Sequence, residues 1–254
     1  MLVSILASGS KGNCTYVETN DIKLLIDVGM NTKYITERLN ELGVQPEEID
    51  AIVMTHTHGD HTVALKVFAK KYTPQIVLTE GMLEDLDFLK DYGNLLVTEG
   101  AVVYGQTKIE PFKTSHDSTD PRGYLIEDGE SSVVYMTDTG YLNQRYFEKL
   151  KNKNVYIIEA NHDVEMLING PYPKETKSRI LSDVGHLSNN AAGFYLSKLI
   201  GPDTKKVYLA HLSETNNTEE EALKTVRKTL AEYEIDFDDI EVAKQREKTK
   251  EIKI

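Results

Sequence analysis

Residues 55–61 read THTHGDH and follow directly on an apolar, β-branched run that ends at Ile52, Val53 and Met54. The run predicts a buried strand, so the heptapeptide occupies the loop leaving its carboxyl end, where a rigid element can hold a site open to solvent. In a strand-like turn His56 and His58 point the same way, two residues apart, and can grip one metal ion through neutral ring nitrogens. Asp60 and His61 then face a second position close by. Two metal ions, rather than one, are the expectation. The plainer readings of the same run are a His-rich surface loop, or Asp60 acting as the cap of a helix that starts near Thr62.

At 254 residues the chain is long enough for one large α/β domain or two small ones. No linker-like tract, low-complexity segment or internal repeat divides it, and residues 1–254 are expected to form one domain. The first ten residues, MLVSILASGS, are apolar at the start but lack a basic leader and are too short to span a bilayer, so they predict a first strand and no membrane partner. Cys14 is the single cysteine, which excludes an intrachain disulfide and gives no reason to expect a disulfide-linked partner; a cytoplasmic location is the default expectation. Lys and Arg number 29 against 41 Asp and Glu, a net charge of −12. Such a balance argues against a broad basic surface for non-specific nucleic-acid binding. It leaves room for a local cleft in which metal ions and a few cations neutralise phosphates.

Strands are expected over Met1–Leu6, Thr15–Glu18 and Ile22–Val28, with the small-residue loop ASGSKGNC (Ala7–Cys14) between the first two. That loop can expose backbone N–H groups to a phosphate, with Ser10, Lys11 and Asn13 as contacts, or it can be a simple turn. Helices are expected over Tyr34–Leu42, Thr62–Tyr72, Gly81–Leu89, Tyr141–Leu150, Val164–Ile168, Asn189–Leu199 and Thr218–Tyr233, and strands over Ile76–Leu78, Leu95–Val97, Val102–Tyr104, Lys108–Phe112, Gly123–Glu127, Ser132–Thr137, Val155–Glu159 and Lys206–Ala210. Strands dominate early, and a β/α alternation follows. Two mixed sheets packed face to face, with helices outside, accommodate that order.

Three more candidates follow β-rich runs as His56 does: His116 in TSHDSTDPRGY, Asp138 in MTDTG and His211 in LAHLS. Repeated placement at strand ends is what a site gathered along one edge of the sheets requires, although any one of these residues alone would suit a local turn. His186, in VGHLSNN, precedes the helix expected from Asn189, so it fits either a catalytic donor or part of that helix's cap beside Ser188. His162, with Asn161 in IIEANHD, follows a buried strand and fits a substrate contact, a residue behind the ligands or a core histidine equally. Arg122 and Arg179 are the remaining cations considered for phosphate contact.

The motifs ASGSKGNC, THTHGDH, SHDSTDPRGY, TDTG, EANHD, GHLSN and AHLSETNN span almost the whole chain and resemble the metallo-β-lactamase fold superfamily, in particular its WalJ (YycJ) family. The resemblance implies an αβ/βα four-layer sandwich of two mixed sheets flanked by helices. It implies a first metal ion held by His56, His58 and His116, a second held by Asp60, His61 and His211, and Asp138 bridging the two, with a water between the ions as the attacking group. Asp60, Asp138 and His186 would then carry the catalysis, His186 touching the phosphate or protonating the leaving oxygen. Also implied is nucleic acid as substrate, DNA first, with 5′-to-3′ double-stranded exonuclease activity. The long insertions by which RNA-processing relatives grip substrate are absent from this sequence.

Zinc suits the ligand types best, and manganese or iron remain compatible with the carboxylates and a phosphate substrate. Two other function classes stay open. A small-molecule hydrolase, either a cyclic phosphodiesterase or a thioesterase, suits the acidic surface, and a thioesterase has no evident use for His186. A non-catalytic regulator associated with a cell-wall two-component system is disfavoured by the complete ligand set.

Overall fold

Fourteen strands form two seven-stranded sheets in the computed structural model, which describes residues 1–254. In chain order they are β1 (Leu2–Ala7), β2 (Cys14–Glu18), β3 (Lys23–Ile26), β4 (Ala51–Val53), β5 (Gln75–Leu78), β6 (Leu95–Val97), β7 (Val102–Tyr104), β8 (Thr107–Lys113), β9 (Arg122–Asp128), β10 (Ser131–Met136), β11 (Val155–Glu159), β12 (Lys206–Ala210), β13 (Ile240–Val242) and β14 (Ile252–Lys253). The first sheet runs β14-β1-β2-β3-β4-β5-β6 and the second β13-β12-β11-β10-β9-β8-β7. Each sheet is mixed, with a parallel block, β3 to β6 in the first and β10 to β13 in the second.

The side-chain period of two sorts each central strand between two cores. In β3, Leu24 and Ile26 enter the core between the sheets while Leu25 faces the outer helices; in β11, Val155 and Ile157 point inward while Tyr156 and Ile158 point outward. The helices are α1 (Thr32–Glu41), α2 (Gly59–Thr62), α3 (Leu65–Tyr72), α4 (Glu80–Asp85), α5 (Phe147–Leu150), α6 (Val164–Asn169), α7 (Lys174–Ile180), α8 (Asn189–Leu199) and α9 (Glu219–Glu232). Ile35, Leu39, Phe68 and Tyr72 of α1 and α3 cover the first sheet, and Leu196, Leu199, Val226 and Leu230 of α8 and α9 cover the second. The result is the four-layer αβ/βα sandwich. No helix is long and apolar enough to cross a membrane.

Four local departures from the sequence reading have physical reasons. The helix expected over Thr62–Tyr72 is two: α3, Leu65–Tyr72, is preceded by the single turn α2, Gly59–Thr62, with His58 at its N-cap, so Asp60 lies inside that turn and caps nothing. The helix expected over Tyr141–Leu150 is only a 3₁₀ turn, Gln144–Tyr146, running into α5, because the Asn143 side chain accepts from Arg145 N and starts the turn there. The run Gly81–Leu89 breaks at Leu86, whose φ of −109° and ψ of 53° are not helical. Helix α7 was not expected; it starts after Pro173, which presets the entry angle of a segment too short to show periodicity.

Candidate metal centre

The carboxyl ends of the strands in the two parallel blocks build the site. β3 runs into Asp27, β4 into the THTHGDH loop, β10 into Asp138, and β12 into His211, while Glu159 is the last residue of β11. Asp27, Asp138 and His211 have positive φ, at 59°, 54° and 54°. Such a left-handed residue costs roughly 1–2 kcal/mol when it is not glycine. Strain of this kind persists where the surroundings over-determine it, and here it turns three side chains away from their strand axes.

Two groups of ligand atoms meet there. His56, His58 and His116 form one, and Asp60, His61 and His211 the other, with the ligand atoms of each group within 4.8 Å of one another. His58 Nδ1 is 3.3 Å from His116 Nε2. Asp60 Oδ2 lies 3.7 Å from His61 Nε2 and 3.5 Å from His211 Nε2. Asp138 stands between the groups: its Oδ2 is 3.2 Å from His61 Nε2, and its Oδ1 is 3.8 Å from His116 Nε2 and 3.4 Å from His211 Nδ1.

Carboxylates and carbonyls behind the rings decide which nitrogen faces this space. Asp27 Oδ2 accepts from His61 Nδ1 and from Thr55 Oγ1, both at 2.7 Å, and Asp27 Oδ1 accepts from Thr55 N at 2.8 Å. Glu159 Oε1 accepts from both His186 Nδ1 and His211 Nδ1 at 2.8 Å, while Oε2 accepts from Thr139 N and Leu187 N at 3.0 Å. His116 Nδ1 donates to Gly185 O at 3.2 Å. His61, His116 and His211 are thereby held with Nε2 toward the open centre, whereas His58 offers Nδ1. Glu159 lies within reach of Asp138, His186 and His211, and all its acceptor capacity faces these four donors, so it orients the two imidazoles.

The donor set fits divalent ions by its own chemistry. His56 Nε2, His211 Nε2 and Asp138 Oδ2 are buried and make no hydrogen bond, and burying such atoms without a partner is costly. Electrostatics agrees. Burial works to lower the His61 pKa, but Asp27 and Asp138 outweigh it and raise it to about 10. Burial likewise opposes charge on His186, and Glu159 reverses that, so its pKa is raised. Burial works to raise the Glu159 pKa, yet the His186 and His211 imidazoles hold it down at about 2.

The other candidates are placed as follows. Asn13 is buried, held by Gly9 N, and its Nδ2 reaches His61 Nε2 at 3.0 Å. Ser10 and Lys11 are exposed; Lys11 N donates to Gln245 Oε1 at 2.9 Å and its ammonium pairs with Glu214. Within the ASGSKGNC loop the amides of Gly9, Lys11, Gly12 and Asn13 are all bonded inside the protein, so the loop is not an open cradle of N–H groups. Arg122 is buried and paired with Asp120 at 2.6 Å and with Glu99. Arg179 pairs with Asp117, whose neighbour is His116. Asn161 is buried beneath the site, donating to His211 O at 2.9 Å. His162 is also buried, neither ring nitrogen has a partner, and burial lowers its pKa to about 4.

Asp27 and Glu159 are the residues that sequence reasoning missed. The available signal was their position: each lies at the end of a buried apolar run, as His211 does.

Two facing mixed sheets, with clustered histidines and carboxylates at their strand ends, define a metal-dependent hydrolase, and divalent ions are the cofactor its fold implies. The chain belongs to the beta-lactamase superfamily, whose domain model matches residues 23–212, and within it to the WalJ/YycJ family. It is 40% identical to exodeoxyribonuclease WalJ of Streptococcus pneumoniae serotype 2 over 239 residues, which cover 91% of this chain and 89% of that protein. It is 37% identical to exodeoxyribonuclease YycJ of Bacillus anthracis, over 90% of this chain and 89% of the relative. The fold is similar to that of YhfI, a metallo-β-lactamase fold protein of Bacillus subtilis, with a TM-score of 0.72, 17% identity and 98% of both chains covered.

Proposed function

We propose that this protein is a dinuclear-metal phosphodiesterase acting on DNA, as a 5′-to-3′ exonuclease on double-stranded ends, with residues 1–254 working as one hydrolase domain. The observation that carries the reading is the pair of three-ligand groups sharing Asp138, with His186 beside them on the Glu159 carboxylate. The names of the WalJ and YycJ relatives support DNA as the substrate. His56, His58 and His116 would hold one ion, Asp60, His61 and His211 the other, and Asp138 both; zinc matches this imidazole-rich set best, with manganese or iron next. Bound divalent ions supply an acidified water as nucleophile and neutralise the phosphate.

The chain's own residues do the rest. Asp60 and Asp138 set the spacing of the two groups. Glu159 accepts from His186 Nδ1, so the second proton of the imidazolium sits on Nε2. Stabilised by that carboxylate, His186 can hold a proton until the leaving oxygen needs it.

The test is digestion of a linear duplex labelled at one 5′ end, with zinc or manganese added, beside an Asp60→Ala control. Label released as mononucleotide by the wild type and retained with the variant supports the reading. An intact duplex together with metal-dependent cleavage of bis-p-nitrophenyl phosphate would replace DNA by a small phosphodiester, which the net charge of −12 favours.

A further inference from the structure

The last stretch of the chain, from Ala243 onward, carries the cations that the centre itself lacks. Around the centre Lys11, Arg122 and Arg179 are engaged with Glu214, with Glu99 and Asp120, and with Asp117. Residues 244–253 hold Lys244, Arg246, Lys248, Lys250 and Lys253 against only Glu247 and Glu251, in a chain whose net charge is −12. Lys244 lies 3.3 Å from Glu247 and Lys248 3.7 Å from Glu251, whereas Arg246, Lys250 and Lys253 are exposed and enter no ion pair.

This segment is fixed in place by its uncharged residues. Thr249 Oγ1 accepts from Ile5 N at 3.0 Å and Thr249 N donates to Ile5 O at 2.9 Å, while β14 pairs with β1. Gln245 accepts from Lys11 N and donates to Gly12 O at 3.1 Å, and Lys244 O accepts from Ser8 N at 3.0 Å. Ser8 Oγ in turn accepts from His211 N at 2.7 Å. A cleft of about 200 Å³, lined by Ser8, Leu212, Glu214, Asn217, Lys244 and Gln245, runs between the His211 loop and the strap. The uncharged side chains thus fasten the strap, its cations face solvent, and the cleft at its start adjoins a ligand histidine.

We propose that the strap from Lys244 to Lys253 is the surface that grips the phosphate backbone of duplex DNA beyond the scissile phosphate. The inference rests on the phosphodiesterase reading for its choice of polyanion. An acidic protein repels DNA unless local cations reverse the field, and each phosphate neutralised contributes about 0.9 to the slope of log affinity against log salt.

The experiment is fluorescence anisotropy of a phosphorothioate duplex, resistant to hydrolysis, titrated with metal-loaded protein at about 50 and 200 mM salt. Three cations removed by Arg246→Gln, Lys250→Gln and Lys253→Gln together should shrink the affinity loss between those concentrations by about 40-fold. The converse variant, Glu247→Gln with Glu251→Gln, should bind more tightly, which a merely structural role for the strap would not produce. A salt dependence unchanged in the first variant, or no tightening in the second, overturns the proposal, as does strap-dependent binding to anionic lipid vesicles without binding to the duplex. Strap-dependent duplex binding without hydrolysis of unmodified duplex would retain the strap and sink the DNA exonuclease reading; hydrolysis with strap-independent binding would do the reverse.

Discussion

Glu159 serves two imidazoles with one oxygen and two backbone amides with the other, so no neutral side chain can replace it. In Glu159→Gln the amide NH₂ must face either the Thr139 and Leu187 N–H groups or the two ring N–H groups. Unpaired buried donors cost about 1–3 kcal/mol, and losing the carboxylate behind a ligand histidine typically weakens metal affinity about 10–100-fold. Denaturant unfolding and a zinc titration should show both losses. His186→Ala should lower diester hydrolysis by about 10²- to 10⁴-fold, with bound metal unchanged by elemental analysis; unchanged hydrolysis would remove His186 from the chemistry. His162 makes a different prediction. Its folded pKa of about 4 lies below the ordinary 6.5, so the unfolded state binds the extra proton between those values. Stability should therefore fall as pH drops from 6.5 through 4, by about 3 kcal/mol, and His162→Gln should flatten that part of the profile relative to wild type. Residues with a distinctive side chain in a dense motif were legible in the sequence, as His56, His58 and His61 show. Asp27 and Glu159 were not, because a single carboxylate after a strand looks the same whether it faces water or an imidazole.

Among elements, the THTHGDH loop depends on the segment it lies against. A Cβ on Gly29 would sit 1.6 Å from Asp60 O, and Val28 N donates to His61 O at 3.0 Å across the same contact. Gly29→Ala must push these backbones apart and should destabilise the fold by more than about 4 kcal/mol, read by urea denaturation; a loss under 1 kcal/mol would mean the loop yields freely. Long elements were legible because burial imposes its period on them: β11, β12, α8 and α9 lie within two residues of where hydrophobic pattern and caps predict them. The short strands β6 and β7 also lie at the bounds expected, but two helical segments do not. The Tyr141–Leu150 stretch has helical composition but is set by the Asn143 turn, and α7 has too few turns for a pattern to emerge.

At the level of the whole molecule, loading the centre should be linked to protons. His61, with its pKa raised to about 10, is charged at neutral pH until an ion takes the proton's place, so zinc binding should release protons and tighten as pH rises toward 10. Calorimetry in buffers of different ionisation enthalpy measures this release, and its absence would mean that His61 is neutral before binding. The pairing of the two sheets was only partly legible, since strand order within a sheet depends on contacts distant in sequence. That division has a consequence for how the protein is made. His56, His58, Asp60 and His61 follow the first sheet's β4, whereas His116, Asp138 and His211 follow strands of the second. A ribosome-bound chain that has exposed only residues 1–97, through β6, offers neither group complete, and the second group waits for residue 211. With the ligand set proposed above, metal capture is an event of the finished fold, and the ion's residence would report on whether the two halves have docked.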